Sequence, residues 1–276
     1  MGLEKRTIKI IVIVVVAIVI LGGLLGLLLG LLLYPYYVVL EVWPRSVDDY
    51  RWDQPLIQFR PADPGSFHPW IQRTNDFLRV YETMVPESPP RAPCTTRERM
   101  HTMPRPPDCD QAMRRWDPCT IDMGYGYPMG TPCVFLRLSH VNYWTPHPYN
   151  YSMNLHIPPE MPKHIRDGMA AANGMDYIWV SCQGEFGADK ENIGPIHYIT
   201  GGLPPGFPLS RLHTADRIPY ASRHLPEKDP GPLVGVFFKE PRRGVVINVE
   251  CRIWARDIYY DGTGRTGRAR FEIFVE

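Results

Sequence analysis

IIVIVVVAIVILGGLLGLLLGLLL, residues 10–33, divides the chain into a nine-residue leader and one large remainder. The stretch has no charge and nothing more polar than glycine. At the rise of an α-helix it would be about 36 Å long, enough to cross a hydrocarbon core of roughly 30 Å. Lys5, Arg6 and Lys9 precede it against Glu4 alone. The positive-inside rule therefore predicts a cytoplasmic N-terminus and an external or lumenal remainder, a single-pass type II arrangement. Tyr34, Tyr36, Tyr37 and Trp43 follow as an interfacial aromatic belt would. A cleaved signal peptide is the rival, but its apolar core is roughly 7–15 residues and ends at small residues, whereas this run closes in LLLYPYY. Arg6 stands where a myristoylation signal wants Ser or Thr. Gly22, Gly26 and Gly30 recur every fourth residue and predict a flat strip for close helix packing in the membrane.

The outer part carries all six cysteines: Cys94, Cys109, Cys119, Cys133, Cys182 and Cys251. An even number in an oxidising compartment reads as three disulfides, and no C-x-x-C pair supports a metal site. Asn150-Tyr151-Ser152 is an N-glycosylation sequon, usable on the lumenal side. Thirty prolines in 276 residues, against a usual share of about 5%, favour strand edges and ordered loops over helices. The net charge of +1 offers nothing to a nucleic acid.

After the apolar run, residues 34–62 read as an extended juxtamembrane stalk, followed by one folded domain over 63–276. Ser66 is placed to cap a helix, and Trp70, Thr74, Phe77, Leu78 and Tyr81 recur at helical spacing to about Glu82. Residues 85–118 are loop-like, with eight prolines. The pattern then turns to strands over 132–138, 177–182, 245–254 and 271–275. Val245, Ile247, Val249, Cys251 and Ile253 share one face, with Asn248, Glu250 and Arg252 on the other. Cys182 has the parity of Ile178 and Val180, so a Cys182–Cys251 bridge could cross the core between two sheets, as in immunoglobulin-like sandwiches.

Residues 262–267 spell G-x-G-x-x-G, but a strand pattern follows where a dinucleotide site needs a helix, and Asp261-Gly262 is hairpin-turn chemistry. Asp108-Cys109-Asp110 fits the D-x-D of type II lumenal glycosyltransferases, without the surrounding α/β pattern. The nine histidines are scattered, with no H-E-x-x-H, and no serine lies in G-x-S-x-G. No nucleophile, base and orienting acid assemble, so the chain reads as a non-enzyme with no cofactor and no metal.

Several stretches together resemble one family, the beta subunits of the Na+/K+-ATPase and H+/K+-ATPase. They are FRPADPGSF (residues 59–67) with the helix after it, Tyr125-Gly126-Tyr127 with Gly130-Thr131-Pro132-Cys133, Pro205-Gly206-Phe207-Pro208-Leu209, and Glu250-Cys251 with the closing strands. The resemblance implies an immunoglobulin-like β-sandwich with one inserted helix, and disulfides Cys94–Cys109, Cys119–Cys133 and Cys182–Cys251. It implies a non-catalytic plasma-membrane subunit that escorts a catalytic P-type ATPase alpha subunit and tunes its cation transport. Membrane lipid, and in some assemblies a small third regulatory subunit, would be the other partners. Tyr36, Tyr37, Phe207, Pro219 and Tyr220 are the implied alpha-subunit contacts. Three features depart from the family: the short leader, a membrane helix that lacks the family's aromatics in its first half, and SRLHTADRIPYASRHLP (residues 210–226), which retains only Pro219-Tyr220 where an aromatic Y-Y-P-Y-Y-G-like segment is usual. A cell-surface adhesion or receptor-like module is the alternative from another class.

Overall fold

The strongest alternation in the sequence, around residue 250, becomes the longest strand of a computed structural model. That structure describes residues 15–16, 18–26, 38–45, 55–82, 116–139, 144, 146–150, 157–172, 174–201, 203–209, 212, 232–258, 260 and 266–276. The chain divides into two units, Met1–Tyr36 and Tyr37–Glu276. In the first, residues 15–16 and 18–26 are helical and exposed. The rest of the expected 10–33 span lies outside the described residues, and no helix among those described is long and apolar enough to cross a membrane.

The second unit is mainly β. Its elements are β1 (Val39–Trp43), β2 (Leu56–Phe59), α1 (Pro64–Glu82), a 3-10 turn (Gly124–Met129), β3 (Cys133–Ser139), α2 (Lys163–Ala171), β4 (Tyr177–Gly184), α3 (Gly187–Asn192), β5 (Ile196–Ile199), β6 (Gly206–Pro208), β7 (Leu233–Phe238), β8 (Val246–Trp254) and β9 (Arg268–Val275). One sheet has the order β1-β3-β7-β5 and the other β2-β9-β8-β4-β6. All pairings are antiparallel except β2 with β9.

Both sheets feed one core. Val134, Leu136, Val234 and Val236 come from the first; Ile178, Val180, Ile247, Val249, Phe271 and Ile273 come from the second. Phe238 and Phe271 meet edge to face across it, with ring centroids 6.0 Å apart. Strand β9 shows the cause at residue level: Ala269, Phe271, Ile273 and Val275 are buried, while Arg268, Arg270 and Glu272 take the opposite face. Strands β3 and β4 do not alternate because their outer faces are also covered. Phe135 on β3 is roofed by Trp116 and Tyr125. Tyr177 and Trp179 on β4 join Met161, Ile165 and Met169, beneath α2, in a second cluster.

Three sequence expectations change. Residues 34–62 are not all stalk: Val39–Trp43 and Leu56–Phe59 are strands, and Leu40, Val42, Ile57 and Phe59 are core residues. The α1 cap is not Ser66. The Asp63 carboxylate accepts from the Gly65 amide at 3.0 Å, and Pro64 occupies the first helical position, where its missing N–H costs nothing. Ser66 instead accepts from the Arg60 amide at 2.8 Å, bracing the turn before the helix. Finally, Cys182–Cys251 does not span the two sheets. The residues sit opposite each other on adjacent strands β4 and β8, with Cα atoms 4.0 Å apart. Parity gives the face a side chain occupies; it does not say which sheet the partner strand joins.

Candidate functional site

The 3-10 turn is the most constrained backbone in the folded unit. Gly124, Tyr125, Gly126 and Gly130 have φ of 55°, 51°, 79° and 78°, all in the left-handed region. Tyr125 is the sole non-glycine with positive φ among the described residues. It is held there by its own burial, by its amide donating to Thr120 O at 2.9 Å, and by its ring against Phe135. The Cys119–Cys133 disulfide closes the segment at its base, and Thr131 N donates to Gly126 O at 3.0 Å. The buried aromatics form a rigid support from which Ile121, Met123 and Met129 stand exposed. Strain retained in so fixed a turn is a pointer to function, and exposed apolar side chains on it suit protein contact better than chemistry.

A Cβ on Gly126 would lie 1.9 Å from the Thr131 carbonyl oxygen, on a φ that side chains avoid. Gly126→Ala should therefore cost about 3 kcal/mol or more, and should lower the denaturant midpoint without changing its slope. A midpoint equal to the parent's would show that the turn relaxes at no cost.

Two charged arrays flank the sheets. On the outer face of the second, the Glu250 carboxylate, 6% exposed, accepts from Arg252 Nε at 3.1 Å and Arg270 Nη2 at 3.4 Å, with Arg268 Nη1 3.8 Å away. Arg252 and Arg268 are direct cross-strand partners, so Glu250 separates like charges that would otherwise face each other. Burial alone would raise the Glu250 carboxyl, but the arginines outweigh it and hold the pKa below the usual carboxylate value. Tyr260 lies over Arg268 at 4.7 Å, and burial pushes its hydroxyl up to about 12. At β1, Glu41 takes both Nε and Nη2 of Arg137 at 3.0 and 2.6 Å. Arg137 in turn lies over the Phe77 ring, which stacks on Trp43. Against the raising effect of burial, Arg137 lowers the Glu41 carboxyl too.

Only some of the residues expected to act in packing, bonding or contact fall among the described residues. A Cβ on Gly22 or Gly26 would meet nothing within 4 Å. Asn150 is half-buried, and its amide donates to Asp176 Oδ1 at 3.2 Å. Phe207 is fully buried on β6, so its side chain offers no surface to a partner; the P-G-F-P-L segment places it in the core instead. Gly30, Tyr36, Tyr37, Cys94, Cys109, Tyr151, Ser152, Pro219, Tyr220 and the Asp108 and Asp110 carboxylates lie outside the described residues. Among the described residues, no three His, Cys, Asp or Glu side chains converge as metal ligands. What sequence reading missed is the ion-pair arrays. Glu41 and Arg137 lie 96 residues apart, and only the β1–β3 register joins them.

Comparison with known proteins follows this geometry closely. A profile for the sodium/potassium ATPase beta chain matches residues 39–273, from the first residue of β1 to near the end of β9. The chain is 34% identical over 229 residues to sodium/potassium-transporting ATPase subunit beta-2 of Drosophila melanogaster, covering 80% of this chain and 66% of that protein. It is 30% identical over 224 residues to subunit beta-1 of the same organism, again covering 80% and 66%. The matched stretch thus spans just under two thirds of each relative.

Proposed function

The chain belongs to the sodium/potassium ATPase beta chain family, and from that membership we propose that it is a non-catalytic auxiliary subunit of a cation-transporting P-type ATPase. The observation that carries this reading is the extent of the match, which takes in both sheets, the strained turn and the two described disulfides. In this reading residues 10–33 cross the plasma membrane once, in contact with lipid, with residues 1–9 in the cytoplasm and the folded unit outside. The two sheets sharing one core form an immunoglobulin-like sandwich in the broad sense, though its disulfide lies within a sheet. Cys94–Cys109 would complete the set of bonds, and Asn150 would carry a glycan. The alpha subunit would supply the phosphorylation and ion sites, while this chain supports its folding, delivery and transport, with room for a small third subunit. Gly22, Gly26 and Gly30 would pack the helix against a membrane helix of the alpha subunit, with Tyr36, Tyr37, Pro219 and Tyr220 as outer contacts.

Affinity purification of the tagged full chain from membranes in mild detergent tests this. A multispanning P-type ATPase should be recovered in stoichiometric amount. Recovery of extracellular proteins alone would replace the subunit reading by the adhesion one.

A further inference from the structure

Strand β6 pairs with β4 only from Tyr177 to Trp179, which leaves the rest of that β4 edge without a neighbouring strand. Side chains and a loop close its first part. Val180 N donates to Pro205 O at 3.1 Å, and Val180 O accepts from His164 Nε2 at 3.4 Å. Cys182 N donates to the Tyr198 hydroxyl at 2.7 Å. Beyond that point come Cys182 O, Gly184 N and Gly184 O. Cys182 and Cys251 form a close, non-hydrogen-bonded pair, and Glu185 N returns to Asn248 O on β8 at 2.9 Å. Residues 182 and 184 therefore turn their peptide groups away from β8. Among the described residues these three groups have no hydrogen-bond partner.

Cys182, Gln183 and Gly184 line a cleft of about 320 Å³ between β4, α3 and β5. This is the lower end of the size range of ligand sites, roughly 300–1,000 Å³. Lys190 and His164 contribute to its lining, no carboxylate among the described residues does, and Ile193 and Ile196 supply apolar wall. Gly184 lets α3 pack closely against this end of β4: a Cβ there would stand 2.3 Å from the Lys190 backbone nitrogen.

The geometry points to a peptide-binding bay: a short extended segment of a partner protein, carrying an acidic residue, adds as a strand along Cys182–Gly184. An acceptor, a donor and a second acceptor in sequence along one edge match the alternating groups of an extended backbone. The exposed Lys190 ammonium selects an acidic side chain, and the isoleucines seat an apolar neighbour. The bay uses none of the residues named for the alpha subunit. A chain that co-purifies with its ATPase and binds no peptide overturns the bay alone.

The test titrates fluorescein-labelled Thr-Val-Asp-Val-Thr, amidated at its C-terminus, into the full chain in detergent and follows anisotropy. Two controls replace the central Asp by Lys, or N-methylate both Val amides. The Asp peptide should bind about threefold to tenfold tighter than the Lys peptide, and the N-methylated peptide should not bind. Lys190→Glu, at an exposed position, should reverse the charge preference. Undiminished binding of the N-methylated peptide would mean a charge site for any small carboxylate and overturn strand addition. Equal binding of the Asp and Lys peptides, or none by any peptide at millimolar concentration, would overturn the proposal altogether.

Discussion

The double variant Cys182→Ala, Cys251→Ala should be about 2–5 kcal/mol less stable than the parent chain, among the largest losses of any change outside the backbone. The bond ties residues 69 apart in sequence and so removes much of the freedom of the unfolded chain. Cys251 is fully buried and Cys182 nearly so, which means the two alanines also leave a small void under the sheet. The position within one sheet limits the damage in kind. Strands β4 and β8 keep their ladder from Trp179↔Trp254 to Gly184↔Val249, so the register should survive and the folded state should remain native-like. Cys119–Cys133 closes only 14 residues, and loop entropy alone makes its removal about 1.4 kcal/mol milder. Denaturant unfolding of the full chain in detergent measures both, read at the midpoint with unchanged slope. Equal midpoints for the parent and the Cys182–Cys251 variant would mean that the ladder alone fixes these strands.

How much of this was legible beforehand follows from how local each cause is. Strands β8 and β9 could be read because one of their faces meets solvent and ions, so the period of two shows in the residues themselves. Helix α1 could be read from the spacing of Trp70, Thr74, Phe77 and Leu78, all buried. Strand β1 alternates too, but Glu41 and Trp43 on its outer side are covered, by Arg137 and Phe77. Its burial depends on residues that the sequence places elsewhere, and its position after the apolar run suggested a tether. Helix α2 was hidden by Pro158, Pro159 and Pro162 before it and by Gly168 within it. That glycine lies close against Trp179: a Cβ there would be 3.1 Å from the indole, so packing rather than helix propensity chooses the residue. The left-handed Tyr125 could not be foreseen, because nothing in a tyrosine announces positive φ; only the glycines beside it hinted at a turn. Membership of the family was legible because it rests on ordered motifs, whereas the surface a motif residue presents was not, as buried Phe207 shows.

Glu250→Ala should cost about 2–4 kcal/mol, because it removes the one carboxylate that all three arginines around it share. A fully buried pair would lose more, but Arg252, Arg268 and Arg270 keep 19%, 21% and 29% of their side chains exposed, and water screens part of the loss. Glu185 remains 3.1 Å from Arg270 Nε and can steady that residue. Among the described residues Arg252 and Arg268 have no such second anion within ion-pair distance, and they would confront each other across β8 and β9. The same carboxylate sets an acid limit on stability. Its pKa is lower folded than unfolded, so its contribution is complete above the ordinary value of 4.5 and is lost as pH falls through the folded-state value. Glu250→Gln keeps the shape and removes the titration. It should therefore be destabilised near neutral pH, while its stability falls less steeply than the parent's below pH 4.5. Urea midpoints of parent and variant across that range decide the matter. If the two acid limbs run parallel, Glu250 is not the group that couples this face of the sheet to pH, and the arginines must be held apart by packing alone.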